Sequence, residues 1–177
     1  RSVSEIDAPF CDKGIFDLGI PILGICYGLQ LIARLFGGEV EKAKKAEFGK
    51  AKMKIESKDP LFENVDGETM VWMSHSDRVE KLPPRFSRIA RTENSPYAAI
   101  KSEEREIYGV QFHPEVHHTE KGREILRNFL YNVCKATGLY TPASFVEESI
   151  KRIKEEVGEE RVICALSGGV DSSCVAA

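Results

Sequence analysis

The chain has 177 residues, is 42% apolar and 30% charged, and carries a net charge of −3; that is enough for one sizeable core and part of a second. The balance argues against a nucleic-acid partner drawn by basic charge. No apolar run approaches the roughly 18 residues a membrane span needs, and no signal-peptide pattern stands at Arg1.

The five cysteines, Cys11, Cys26, Cys134, Cys164 and Cys174, are odd in number and form no Cys-x-x-Cys pair. This pattern points to a reducing, cytoplasmic setting and to neither a disulfide framework nor a metal site. In chain order, a short helical stretch is predicted around Asp12 to Leu18, then a strand Pro21–Gly24 and a helix Tyr27–Phe36. In that helix Leu29, Ile32, Ala33 and Phe36 recur at helical spacing up to the stop at Gly37-Gly38. Weaker alternating, lysine-rich segments follow from Glu39 to Ile55, and Lys58-Asp59-Pro60 marks a turn. Thr69–Met73 reads as a strand leading into Ser74-His75-Ser76-Asp77, and Phe86–Arg91, Ala98–Lys101 and Ile107–Gln111 as three more. A helix is expected from about Glu120 to Cys134, with Ile125, Leu126, Phe129, Leu130 and Val133 on one face. Gly138 to Pro142 reads as a linker. Ser144 with Glu147 forms a capping box for a helix whose Phe145, Val146, Ile150, Ile153 and Val157 make a buried stripe. Arg161–Leu166 reads as a buried strand. Strands interleaved with helices argue for an α/β fold.

Three stretches carry chemistry. Gly24-Ile25-Cys26-Tyr27-Gly28 has the form of a nucleophile elbow, which holds a side chain on a strained strand-to-helix turn. Any Cβ at Gly24 or Gly28 is expected to collide where strand and helix cross. The helix N-terminus is expected to favour the thiolate, with the Tyr27 N–H aimed at a developing oxyanion. The alternative is a small buried cysteine. The second stretch is Gly109 to Glu115, with His113 just past a strand end. A thiol nucleophile needs a base, and the base needs a group that fixes its tautomer; Cys26, His113 and Glu115 supply these types, although a His-Pro pair is also a common structural feature. The third is Ser167-Gly168-Gly169-Val170-Asp171-Ser172-Ser173, either a phosphate-gripping loop or a plain turn; it lacks the lysine of a Walker A loop. His75 and Asp77 either border a cleft or cap a strand. His117 and His118 are read against metal binding, since adjacent histidines rarely chelate one ion. Lys42 to Lys54 reads as a solvated strand face and Trp72 as core.

Gly24-Ile25-Cys26-Tyr27-Gly28-Leu29-Gln30 together with Gln111-Phe112-His113-Pro114-Glu115 resembles the class I (triad) glutamine amidotransferases. The resemblance implies Cys26 as nucleophile, His113 as general acid/base and Glu115 as its orienter. It also implies that Gln30 helps hold the glutamine substrate and that the Tyr27 N–H is one oxyanion donor, with no cofactor for glutamine hydrolysis; His75 and Asp77, where they border the cleft, are expected to join Tyr27 and Gln30 in binding substrate. Residues 167–173 resemble the pyrophosphate loop of the ATP pyrophosphatases, which implies that Ser167, Gly168, Gly169, Val170, Asp171, Ser172 and Ser173 bind ATP with Mg²⁺. The two in this order, with Met73 to Asp77, Thr92 to Pro96, His113 to Glu120 and Ile125 to Phe129, resemble the glutamine-hydrolysing GMP synthetase family, except that Ser76 stands where that family usually has glycine.

The implied fold is an open mixed sheet flanked by helices, lacking its N-terminal strands, over 1–138. The first helix, strand and phosphate loop of a second α/β domain follow over 139–177. The implied reaction takes xanthosine monophosphate, ATP and glutamine to GMP in a cytoplasmic homodimer, and the implied chain is part of a longer protein. The alternatives are the amidotransferase of another biosynthetic enzyme, or a silent glutamine-binding module.

Overall fold

The computed structural model describes residues 2–139 and 141–177. Arg1, Tyr140 of the expected linker and the side chain of Lys44 on the expected solvated face lie outside the described residues. The chain divides into two units, Arg1–Ala136 and Thr137–Ala177.

The first unit is built on one six-stranded sheet of order β1-β6-β5-β4-β2-β3. A short 3₁₀ turn, Lys13–Asp17, precedes β1 (Ile22–Ile25) and α1 (Tyr27–Leu35). Next come β2 (Glu39–Ile55), β3 (Glu68–Lys81), β4 (Phe86–Arg91), β5 (Ala99–Ser102) and β6 (Ile107–Val110). β1 and β6 pair in parallel, Ile22 opposite Ile107 through Ile25 opposite Val110, and every other pairing is antiparallel. Alternation along the strands splits the core between the two faces of the sheet. Ile100 and Ile107 pack with Leu29, Ile32 and Ala33 of α1, whereas Ala99, Tyr108 and Val110 pack with Met53, Leu61, Val71, Met73, Phe112 and Ile125.

Several expectations change here. The segments from Glu39 to Ile55 are one 17-residue strand. Ser74-His75-Ser76-Asp77 lies within β3 and not beyond it, because burial keeps alternating through Val71, Met73, His75, Asp77 and Val79. Ser76 keeps an ordinary strand φ, so the serine in place of glycine strains nothing. Trp72 is only half buried, its ring stacked on His118 at 4.4 Å. The helix expected over 120–134 is α2 (Gly122–Asn128) followed by a π turn, Phe129–Val133. The wider turn rotates Leu130 out of the apolar face, leaving it 50% exposed.

A buried polar cluster fixes the bend of the β2–β3 hairpin. The register between Lys42–Asp77 and Glu47–His75 holds extra β2 residues, a bulge that turns Glu47 inward opposite His75. Glu47 accepts from Ser95 Oγ at 2.5 Å and Thr92 Oγ1 at 3.1 Å, and lies 3.2 Å from His75 Nε2. His75 Nδ1 lies 2.9 Å from the Asp77 carbonyl oxygen.

In the second unit α3 (Pro142–Val157) is capped by a reciprocal Thr141–Ser144 box with Pro142 in the first turn, not by Ser144 with Glu147. Its expected buried stripe is exposed, at 48–55% for Phe145, Val146, Ile150 and Ile153. Residues 161–166, expected as a buried strand, are irregular and exposed, since an extended segment without a neighbouring strand has nothing to satisfy its backbone. A loop then leads to α4 (Val170–Ala176).

Packing and charge in the first unit can both be probed by substitution. A Cβ on Gly122 would overlap the Pro114 carbonyl oxygen, whereas one on Gly28 meets nothing within 4 Å, contrary to the collision expected there. Gly122→Ala is expected to cost about 1–3 kcal/mol and Gly28→Ala to be neutral or slightly stabilising, read as urea midpoints. For Glu47, burial raises the carboxyl pKa, but the donors His75, Ser95 and Thr92 outweigh it and hold it below the usual 4.5. A depressed folded-state pKa gives stability that is present above the unfolded value and lost as pH falls toward the folded one. The wild type should therefore lose stability on acidification below about pH 4.5 more steeply than Glu47→Gln; parallel acid limbs in the two proteins would contradict the cluster.

Candidate active site

Because β1 and β6 run parallel and in register, the segments that follow them leave the sheet side by side. The Cys26 N–H donates to the Val110 carbonyl at 2.7 Å, which extends the ladder one residue past β1. Cys26 then turns the chain into α1 with φ of +51°, a conformation that costs a non-glycine residue of order 1–3 kcal/mol and persists only where the surroundings enforce it. The enforcement is visible. A Cβ on Gly24 would lie 2.6 Å from the Gly28 carbonyl carbon and 2.5 Å from Ile32 Cδ1, and one on Gly109 would lie 2.5 Å from Leu29 Cδ1. Only glycines at these two positions let α1 settle so closely on β1 and β6.

The Cys26 sulfur is half buried, 3.7 Å from the Ser74 carbonyl oxygen and 3.7 Å from Gln111 Nε2. Burial pushes its pKa up, and the Glu115 charge adds to this. The Tyr27 N–H and the Gln111 amide pull it down by less. The balance is therefore toward the thiol: desolvation outweighs the helix end expected to favour the thiolate.

His113 is held against the same strand. Its N–H donates to the Trp72 carbonyl at 3.0 Å, two residues from Ser74. Thr119 clamps the loop, its Oγ1 donating to the His113 carbonyl at 2.6 Å and accepting from the Trp72 N–H at 3.1 Å. His113 Nδ1 lies 2.7 Å from Glu115 Oε1. An ionised carboxylate at that distance accepts the ring proton, which leaves Nε2 with its lone pair free. That Nε2 is buried and lacks a hydrogen-bond partner. The structure thus gathers Cys26, His113 and Glu115 at the carboxyl ends of β1 and β6, where open α/β sheets place their functional groups.

The other expected residues stand behind this group. Gln30 is 3% exposed, and its Nε2 donates to the Asp77 carbonyl at 2.8 Å and lies 3.4 Å from Gln111 Oε1. The Tyr27 hydroxyl donates to the Pro9 carbonyl, while its N–H faces the Cys26 sulfur. The side chain of His75 points at Glu47 and away from solvent. Sequence reasoning missed Glu47, Thr119, Gly122 and the role of Gln111. Only Gln111, two residues before His113, lay inside a chemistry-bearing motif. Residues 167–173 belong to the second unit and are described by themselves: Gly168 has φ of +80°, and Ser167 Oγ and Ser172 Oγ are 3.1 Å apart. Among the described residues no group of three His, Cys, Asp or Glu is set to hold a metal ion, and no helix is long and apolar enough to cross a membrane.

Comparison with known proteins bears on the family and the fold. The chain is 53% identical over 175 residues to the glutamine-hydrolysing GMP synthase of Acetivibrio thermocellus, covering 99% of this chain and 34% of that protein. It is 53% identical over 180 residues to that of Nitratiruptor, covering 99% and 35%. The chain spans about a third of the length of these relatives. Among solved structures, a Thermoplasma acidophilum protein described as a GMP synthase subunit superimposes with a TM-score of 0.66 at 40% identity, over 78% of this chain and 65% of its own. A glutamine amidotransferase of Thermotoga maritima superimposes with 0.55 at 25%, over 82% and 60%. Residues 5–133 match the model of the class-I glutamine amidotransferases, and the chain belongs to that family.

Proposed function

We propose that this chain is the glutamine-hydrolysing part of a GMP synthase, with Cys26 as nucleophile, His113 as general acid/base and Glu115 as the group that orients the imidazole. The observation that carries the reading is the His113 ring. One nitrogen is fixed by a carboxylate at 2.7 Å, and the other is buried with no partner, which is what a base awaiting a proton needs.

The Cys26 thiol gives its proton to His113 Nε2 as the sulfur attacks the side-chain carboxamide carbon of glutamine. The Tyr27 N–H receives the charge that builds on the carboxamide oxygen. The imidazolium returns the proton to the leaving nitrogen, so ammonia departs and a thioester remains. Water, deprotonated by His113, then attacks the thioester, and the Cys26 sulfur leaves with that proton as glutamate is released. Gln30, His75 and Asp77 shape the glutamine site from behind.

In the whole enzyme the ammonia serves a second site, where ATP with Mg²⁺ adenylates the C2 oxygen of xanthosine monophosphate and ammonia displaces AMP. Ser167, Gly168, Gly169, Val170, Asp171, Ser172 and Ser173 are proposed for the pyrophosphate end of ATP. Support comes from their residue types, the positive φ of Gly168 and the exposed Ser167, whose hydroxyl lies 3.1 Å from that of the half-buried Ser172. The relatives' names favour this over the amidotransferase of another pathway, and the unpartnered Nε2 favours it over a silent module. A cytoplasmic homodimer completes the proposal.

In the full-length protein, Cys26→Ala should abolish ammonia release from glutamine while GMP formation from added ammonia persists. Glu115→Gln should lower glutaminase kcat by roughly 10²–10⁴-fold. Glutaminase activity retained in Cys26→Ala would refute the assignment, and no GMP from ATP and xanthosine monophosphate would point to a different partner reaction.

A further inference from the structure

The Cys26 sulfur sits between opposing groups. The Ser74 carbonyl at 3.7 Å can only accept, and so holds the thiol proton. The Tyr27 N–H and Gln111 Nε2 can only donate, and so favour the thiolate. Tyr27 is fixed by the helix backbone. Gln111 is a side-chain amide that could present either its oxygen or its nitrogen, and its orientation decides whether it helps or opposes ionisation.

The surroundings settle that orientation. The Asp77 carbonyl is an acceptor, so the end of Gln30 that meets it at 2.8 Å must be the nitrogen. The same nitrogen lies 3.4 Å from Gln111, whose facing atom must then be the oxygen. Gln111 is left with its nitrogen toward the sulfur. The Asp77 carbonyl is anchored in turn by the His75 ring, whose other nitrogen lies on the buried Glu47 carboxylate. Gln111 is 1% exposed and Gln30 3%, so no solvent competes for these bonds.

We propose that Gln111 is a positioning residue for the nucleophile: its amide donates to the Cys26 sulfur and favours the thiolate, and a relay from Glu47 through His75, the Asp77 carbonyl and Gln30 fixes which way that amide points. The proposal rests on Cys26 being the nucleophile. The charged side chain that acts on the sulfur is Glu115, which opposes ionisation.

The test is the pH dependence of Cys26 alkylation by iodoacetamide, read by peptide mass spectrometry without glutamine, with the other four cysteines as internal comparators. Gln111→Leu keeps the bulk and removes the donor; its midpoint should rise by about one pH unit, a tenfold loss of thiolate at any pH below it. Gln111→Glu replaces the donor by a charge and should shift the midpoint further. Gln30→Met, which frees the Gln111 amide to turn over, should shift it by less than Gln111→Leu. Circular dichroism identifies any variant that fails to fold, and the remaining variants carry the comparison. Midpoints that stay at the wild-type value in folded Gln111 variants overturn the proposal. Because the readout is alkylation and not turnover, a failure of the glutaminase reading, seen as activity retained in Cys26→Ala, shows up separately.

Discussion

The parallel register of β1 and β6 is the constraint on which the rest depends. It is the one parallel pairing in an otherwise antiparallel sheet, and it ends both strands at the same level, Ile25 opposite Val110. A cysteine directly after the first strand and a histidine three residues after the second therefore leave the sheet on the same side. A slip of one residue would turn every side chain of β1 to the other face, exchanging the positions that pack on α1 with those that pack on Phe112 and Ile125. Gly109 enforces the register from the side, because only a residue without Cβ lets Leu29 of α1 lie across it. The core and the site are thus specified by the same few contacts.

Two histidines in similar surroundings show how a structural imidazole differs from one poised to react. His75 and His113 both face a carboxylate, Glu47 at 3.2 Å and Glu115 at 2.7 Å. Both ring nitrogens of His75 are engaged, one by the Asp77 carbonyl and one by Glu47 with Ser95. The ring is saturated and acts as a strut. His113 leaves Nε2 buried and unpaired, and an orphaned polar atom in low dielectric carries a free-energy cost that folding alone gives no reason to keep. On the proposed reading the cost becomes intelligible, because that nitrogen is the one that would receive a proton during the reaction.

Where chemistry was local, the sequence was readable. The elbow around Cys26 and the His-Pro-Glu run each fit within seven residues, and β4 was bounded correctly at Phe86 and Arg91 by its own alternation. Glu47 was not readable, because it sits in a lysine-rich stretch and becomes buried only through a bulge opposite a residue 28 positions away. The strand expected over Thr69–Met73 was drawn to stop before Ser74, yet alternation continued through Asp77, with His75 at an inward position that Glu47 and Ser95 satisfy. The glycines behave alike. Gly28 looked essential by motif and has open space around it, whereas Gly122 stands in no motif and underlies Pro114. The strand expected over 161–166 failed for a different reason: apolar sequence makes a strand possible, but a partner strand makes it form.

The state of the resting sulfur decides how the site must work on the proposed reading. In a preformed thiolate–imidazolium pair the nucleophile is ready before the substrate arrives. Here burial outweighs the donors around Cys26 and favours the thiol, so on that reading attack calls on His113 to take the proton. Nucleophile and base are then bound to one strand, the sulfur through the Ser74 carbonyl and the histidine through the Trp72 carbonyl. Their separation is set by β3 more than by either motif, and proton transfer depends steeply on that separation. A small displacement of β3 relative to β1 and β6 would therefore tune activity without touching a reacting group. The clamp from Thr119 to both Trp72 and His113 is the feature of the fold that resists such a displacement.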